Sequence, residues 1–185
     1  MANIRGVSLI SGVKYISDNF GEGGLVKVVD SLEPQDRDIL RSKLHPMNWY
    51  PVKTYSAFMA AADKIFGKGD YNLCFNIGKY SAEDIFSGLY KVFLELGNPH
   101  FVIRRGHIAW RTIIDSGELE IEQTGDKFVK VRITGFEEPD KAFCWKVSGY
   151  FGKVLEMSGA KNVRVNEGKC ACDGGPYCEY DIQWE

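Results

Sequence analysis

The apolar residues of this 185-residue chain change their period once, at Asn98-Pro99, and that change dictates a layered fold of helices against a sheet. Before it, spacing is helical. Val52, Tyr55, Met59, Ala62 and Phe66 recur at steps of three and four, which predicts a helix over 52–66 entered through Trp49-Tyr50-Pro51. Ser81-Ala82-Glu83-Asp84 resembles a capping box, with Ile85, Leu89, Val92, Phe93 and Leu96 as the stripe of a second helix closed by Gly97. Segments 8–20, 21–31 and 34–44 are shorter helix candidates.

After Asn98-Pro99 the period falls to two. Residues 107–115, 117–124 and 127–135 read as three strands parted by Ser116-Gly117 and Gly125-Asp126, the spacing of an antiparallel meander. Glu138-Pro139-Asp140 then opens a long helix over 140–158, with Phe143, Val147, Tyr150, Phe151, Val154 and Leu155 on its core face and Gly159 as its stop. Strands at 161–170 and 178–184 finish the chain. The expected class is α+β: N-terminal helices packed on an antiparallel sheet, in the order helices-βββ-α-ββ. No linker or composition shift divides the halves, so residues 1–185 are expected to form one domain, with 1–97 mainly helical and 98–185 carrying the sheet, the long helix and a terminal hairpin.

A chain of this length can bury roughly 70% of its unfolded surface and needs no disulfide to hold a core. With 44% hydrophobic and 26% charged residues and a net charge of -2, it lacks the basic excess of a nucleic-acid binder. No apolar run approaches the ~20 residues that span a bilayer, and the first residues do not read as a signal peptide, so a cytoplasmic protein is expected.

Four of the five cysteines fall after residue 140, and in a reducing compartment they are thiols or metal ligands rather than disulfides. Cys74, inside Leu73-Cys74-Phe75, reads as a packing residue. Cys144 lies in the first turn of the 140–158 helix beside Phe143. Cys170 ends one strand and Cys178 begins the next, so the two thiols meet at the mouth of a hairpin. Zinc takes four tetrahedral ligands and favours thiolate, which leaves one place for Glu167 or Cys172. Strand geometry favours Cys172, two residues from Cys170 and on the same face. Glu167 faces inward only if the chain bulges at Gly168.

The terminal stretch from Gly159 to Trp184, with Glu167-Gly168-Lys169-Cys170 and Cys178 at its centre, resembles the end of the 4-vinyl reductase domain family, which also supplies sensory domains of phenol-responsive bacterial transcription activators. Zinc-binding members use a Cys in a helix, then Glu-x-x-Cys, then a Cys eight residues on, and Cys144, Glu167, Cys170 and Cys178 fall at that spacing. The resemblance covers residues 140–184. It implies a structural zinc held by those four residues, with Glu167 rather than Cys172 as the fourth ligand. It also implies a fold group shared with haem-based nitric-oxide sensors and small subunits of TRAPP vesicle-tethering complexes. Haem binding of the sensor type would require a proximal His and a Tyr-x-Ser-x-Arg motif, and that motif is absent.

The aromatic residues Trp49, Tyr50, Phe58, Trp110, Phe128, Phe143, Trp145 and Tyr150 offer walls for a pocket that takes a small apolar or aromatic ligand. Trp110, read as mid-strand at the junction of the two halves, is the first choice. His45, His100 and His107 form no catalytic or metal motif, and Asp115, Glu118, Glu120 and Glu122 read as a solvated face. Expected, therefore, is a non-enzymatic sensory or carrier domain that acts through a protein partner and can form a homodimer. The alternatives are a TRAPP-like scaffold subunit and an accessory factor in tetrapyrrole vinyl reduction.

Overall fold

The computed structural model describes residues 1–87 and 98–185. The part of the second predicted helix that carries Leu89, Val92, Phe93 and Leu96 lies outside the described residues. A short strand β1 (Asn3–Arg5) leads into α1 (Gly6–Asp30), followed by α2 (Pro34–Arg41), β2 (Trp49–Pro51), α3 (Val52–Phe66) and α4 (Asn72–Ile85). Then come α5 (Pro99–Arg104), α6 (Gly106–Ile113), β3 (Glu118–Gly125), β4 (Phe128–Thr134), α7 (Lys141–Met157), β5 (Arg164–Lys169) and β6 (Cys178–Gln183). Helices pack on a four-stranded antiparallel sheet of order β3-β4-β6-β5, and β1 pairs with β2 in a separate two-stranded ribbon.

Helix boundaries follow local chemistry. In α1 the two predicted segments are joined across a kink at Gly21, whose φ of 72° only glycine adopts without strain. Helix α3 spans Val52–Phe66 as its apolar spacing requires, burying Val52, Tyr55, Phe58, Met59 and Ala62. Asp140 caps α7, its carboxylate accepting from the amides of Ala142 at 2.9 Å and Phe143 at 3.3 Å. At the other end Gly159 takes φ 99° and the Ala160 amide donates to the Leu155 carbonyl, the 6→1 bond of a Schellman stop.

The Ser81 capping box is overturned. Ser81 is buried inside α4, which starts nine residues earlier at Asn72. Its cap comes from another helix: buried Asp63 of α3 accepts from the amides of Tyr71 and Leu73, both at 3.0 Å. That partner is eight to ten residues away, so no local motif announces it.

The strand expected over 107–115 is also corrected, although the α+β layering stands. Ile103, Gly106, Ala109, Trp110 and Ile113 repeat at helical steps and face one cavity, whereas the alternation that suggests a strand would bury Ile108, which is 56% exposed. Only Ile114 keeps a strand-like bridge, to Ile4. Helix α5 is legible in hindsight: Asn98 accepts from the Phe101 amide at 2.9 Å and Pro99 opens the helix.

The inner face of the sheet carries Val129, Val131, Ile133, Cys178, Tyr180 and Ile182, with Val131 opposite Tyr180 and Ile133 opposite Cys178. Its outer face is charged: Lys130 bridges Glu179 and Asp181, and Arg132 bridges Glu179 and Glu122. Helices α4 and α7 cross with backbone in contact at Gly78 and Gly149. A Cβ at Gly78 would lie 2.0 Å from the Lys146 carbonyl oxygen, and one at Gly149 would lie 2.0 Å from that of Phe75.

Candidate metal centre and apolar cavity

The metal centre is assembled from α7 and the β5–β6 hairpin. Cys178 begins β6 on its inner face, and Glu167 sits opposite the inward Tyr180. Regular alternation would then turn Cys170 outward. It does not, because Lys169 rather than Gly168 pairs with Glu179, leaving Gly168 as the extra residue of a β-bulge. The bulge places Glu167 and Cys170 on one face, with a turn of 3-10 helix (Ala171–Asp173) leading on toward Cys178. Cys144 reaches them from the first turn of α7, which a Lys141–Asp173 ion pair ties to the same turn.

The ligand atoms of Cys144, Glu167, Cys170 and Cys178 all lie within 4.8 Å of one another, so this cluster can hold a metal ion. The sulfurs of Cys170 and Cys178 are each 3.8 Å from that of Cys144. Two thiolates bound at ~2.3 Å to one tetrahedral ion stand about 3.8 Å apart. Oε1 of Glu167 is buried with no hydrogen-bond partner among the described residues, a costly arrangement for a carboxylate unless a cation neutralises it.

Cys178 is the most acidic of these thiols. Hydrogen bonding from the Cys144 thiol and from the Ala171 amide at 3.4 Å pulls it down to about 7. The same bond and burial push Cys144 far up, while burial raises Cys170 to about 12. Cys172, half-buried, places its sulfur 3.8 Å from Cys144, and burial raises it too. Cys74 is apart, buried against the Met59 carbonyl.

The second feature is a partly open cavity of about 260 Å³ lined by α5, α6, β3, β4 and the core face of α7. Trp110 lines it, from a helix rather than a strand, and its indole N–H donates to the carbonyls of Ser116 and Gly117, both at 3.1 Å. Of the other aromatic candidates Tyr150 also lines it. Phe58 and Phe143 are fully buried core residues, and Trp49 lies on the surface under the Arg5 guanidinium. His45 and His107 are exposed, and His100 packs edge-on against Trp184.

Three polar residues of the cavity wall escape the sequence reading, Ser8 of α1, Arg105 at the end of α5 and Lys146 of α7. Lys146 is 4% exposed and no carboxylate among the described residues pairs with it; its amino group lies 4.9 Å from the Tyr150 ring centroid, and burial pulls it down to about 8. Phe143, Lys146, Val147 and Tyr150 follow the three- and four-residue steps of one helix face, a signal that places the lysine in the core stripe. Lys146→Met should therefore stabilise the ligand-free chain, by on the order of 2 kcal/mol in urea denaturation, because it removes a buried amino group that faces aromatic rings but has no counter-charge among the described residues. Equal or lower stability would mean that the group is satisfied in the folded chain.

The family model described as "Protein of unknown function (DUF2378)" matches residues 40–185. The chain belongs to the DUF2378 family. No curated protein sequence matches it. In three dimensions this DUF2378 chain is similar to an H-NOX protein from S. oneidensis in the Fe(II)NO state, with TM-score 0.77 at 9% identity over 98% of this chain and 99% of that one. The unliganded Fe(II) H-NOX protein from K. algicida gives 0.71 at 11% identity, covering 98% and 97%. An oxygen-binding H-NOX domain related to soluble guanylate cyclases gives 0.66 at 12%, covering 98% and 95%. At such identities the likeness is one of fold, and it is the fold group that the C-terminal resemblance implies.

Proposed function

We propose that this chain is a non-catalytic, small-molecule-binding sensory domain in which Cys144, Glu167, Cys170 and Cys178 hold a structural zinc and the apolar cavity takes the ligand. The observation that carries the reading is the unpartnered Glu167 oxygen beside three thiols. That donor set is one that zinc-binding 4-vinyl reductase domains use, and four protein ligands leave no open position for water or substrate, which separates structural from catalytic zinc. Bound there, the ion supplies cross-linking. Cys144 brings α7 to it, Glu167 and Cys170 bring β5, and Cys178 brings β6.

The staple and the cavity share α7, since the helix that contributes Cys144 also presents Val147, Tyr150 and Val154 to the cavity. Zinc therefore fixes one wall of the ligand site, and ligand-dependent movement of the opposing α5–α6 wall is the route to a protein partner. A cavity of this size favours a ligand-binding role over a scaffold with a filled core. Haem is not favoured by the lining: among the described residues no histidine, cysteine or methionine lines the cavity, so its wall offers no axial ligand of those types for the iron.

The fourth ligand separates this reading from a four-cysteine site. Glu167→Gln should cut zinc affinity by about tenfold or more, whereas Cys172→Ser should retain a full equivalent in metal analysis after dialysis. Zinc lost from Cys172→Ser but kept by Glu167→Gln would assign the site to four cysteines.

A further inference from the structure

We propose that the cavity selects a small amphipathic carboxylate, its head group held by Lys146 and Ser8 and its apolar body lying against Trp110 and the sheet. This rests on the reading of the cavity as a ligand site and names what it takes. The wall is almost wholly apolar: Phe101, Ile103, Trp110, Val129, Val131 and Leu155 among others. A cavity lined in this way needs no polar residue, yet two buried ones break the lining, besides Arg105, whose exposed guanidinium stacks on the Phe101 ring at 3.7 Å. Lys146, from α7, is 4% exposed without an acidic partner among the described residues. Ser8, from α1, is fully buried, and its hydroxyl has no hydrogen-bond partner.

Two donors from different helices on one cavity, neither given a hydrogen-bond acceptor among the described residues, have a shared chemical complement. A carboxylate accepts from both at once and neutralises the lysine in a medium where an uncompensated charge is costly. A neutral ligand would leave the amino group without a counter-charge, and an amine would repel it. Size sets the body. The cavity, at about 260 Å³, is somewhat under twice the ~150 Å³ that admits benzene, which suits a medium-chain or single-ring acid of about ten non-hydrogen atoms.

The test uses the metal-replete full chain, titrated calorimetrically at neutral pH with octanoate, 1-octanol and octylamine, which share an alkyl body and differ in the head. Octanoate should bind about tenfold or more tighter than 1-octanol, and octylamine should not displace it. Lys146→Met should abolish the preference for the acid while still taking up the alcohol, and Ser8→Ala should weaken octanoate several-fold. Equal or tighter binding of 1-octanol by the unmodified chain would overturn the carboxylate assignment and leave the ligand-binding reading in place. Failure of every probe to bind a chain shown to be folded by circular dichroism would overturn both.

Discussion

Alanine at Gly149, or at Gly78, is expected to destabilise the protein by more than about 4 kcal/mol, lowering the urea midpoint sharply or preventing folding. In a helix interior glycine-to-alanine normally helps, by roughly 0.5–1 kcal/mol of backbone entropy. Here sterics dominate. The added methyl would sit 2.0 Å from a backbone carbonyl oxygen of the facing helix in either case, and neither backbone can withdraw without separating α4 from α7. The separation would also shift Cys144 and Lys146, which lie on α7 within a turn and a half of the crossing. Gly152→Ala is the matched control: its methyl meets only a Val165 side-chain carbon at 3.3 Å, so a change within about 1 kcal/mol is expected. If Gly149→Ala leaves the midpoint where Gly152→Ala does, the helices do not cross at backbone contact.

Removing the metal should have the other large effect. A structural site contributes its binding free energy to folding, apparent values for small zinc domains being about 10–16 kcal/mol, and even a fraction of that shifts the melting temperature of a chain this size by on the order of 10 °C or more. Incubation with a strong chelator, or Cys144→Ser, should therefore produce a drop of that order in differential scanning calorimetry. The drop should reverse when zinc is restored to the chelated protein. The loss should be centred on the hairpin, because without the ion Glu167 keeps a buried oxygen with no hydrogen-bond partner among the described residues, beside three thiols. A melting temperature indifferent to chelation would mean that the thiols pack without a metal.

How far the sequence discloses this arrangement depends on whether the signal is local. Helix α3, the Asp140 cap, the Gly159 stop and the break near Gly21 rest on residues next to the features they specify, and each is readable from the chain. The bulge that lets Glu167 and Cys170 share a face follows from a parity argument, since three residues apart they need one extra residue between them, and Gly168 provides it. What escapes is set at a distance. The start of α4 depends on Asp63 from another helix, and the ribbon of β1 and β2 joins Asn3 to Pro51 across 48 positions. The 107–115 segment carries both periods, and the cavity decides between them by burying Trp110 while leaving Ile108 outside. Lys146 is hidden for a different reason: a lysine in an apolar stripe is read as a solvated interruption until its neighbours are known to close over it.

Zinc K-edge X-ray absorption on the purified chain tests the central claim most directly, because it reports the presence of the metal and the identity of its donors together. The account predicts stoichiometric zinc in a tetrahedral shell of three sulfurs at ~2.3 Å and one oxygen at ~2.0–2.2 Å, the oxygen component disappearing in Glu167→Gln. A shell of four sulfurs, or a folded chain that carries no zinc, would contradict it.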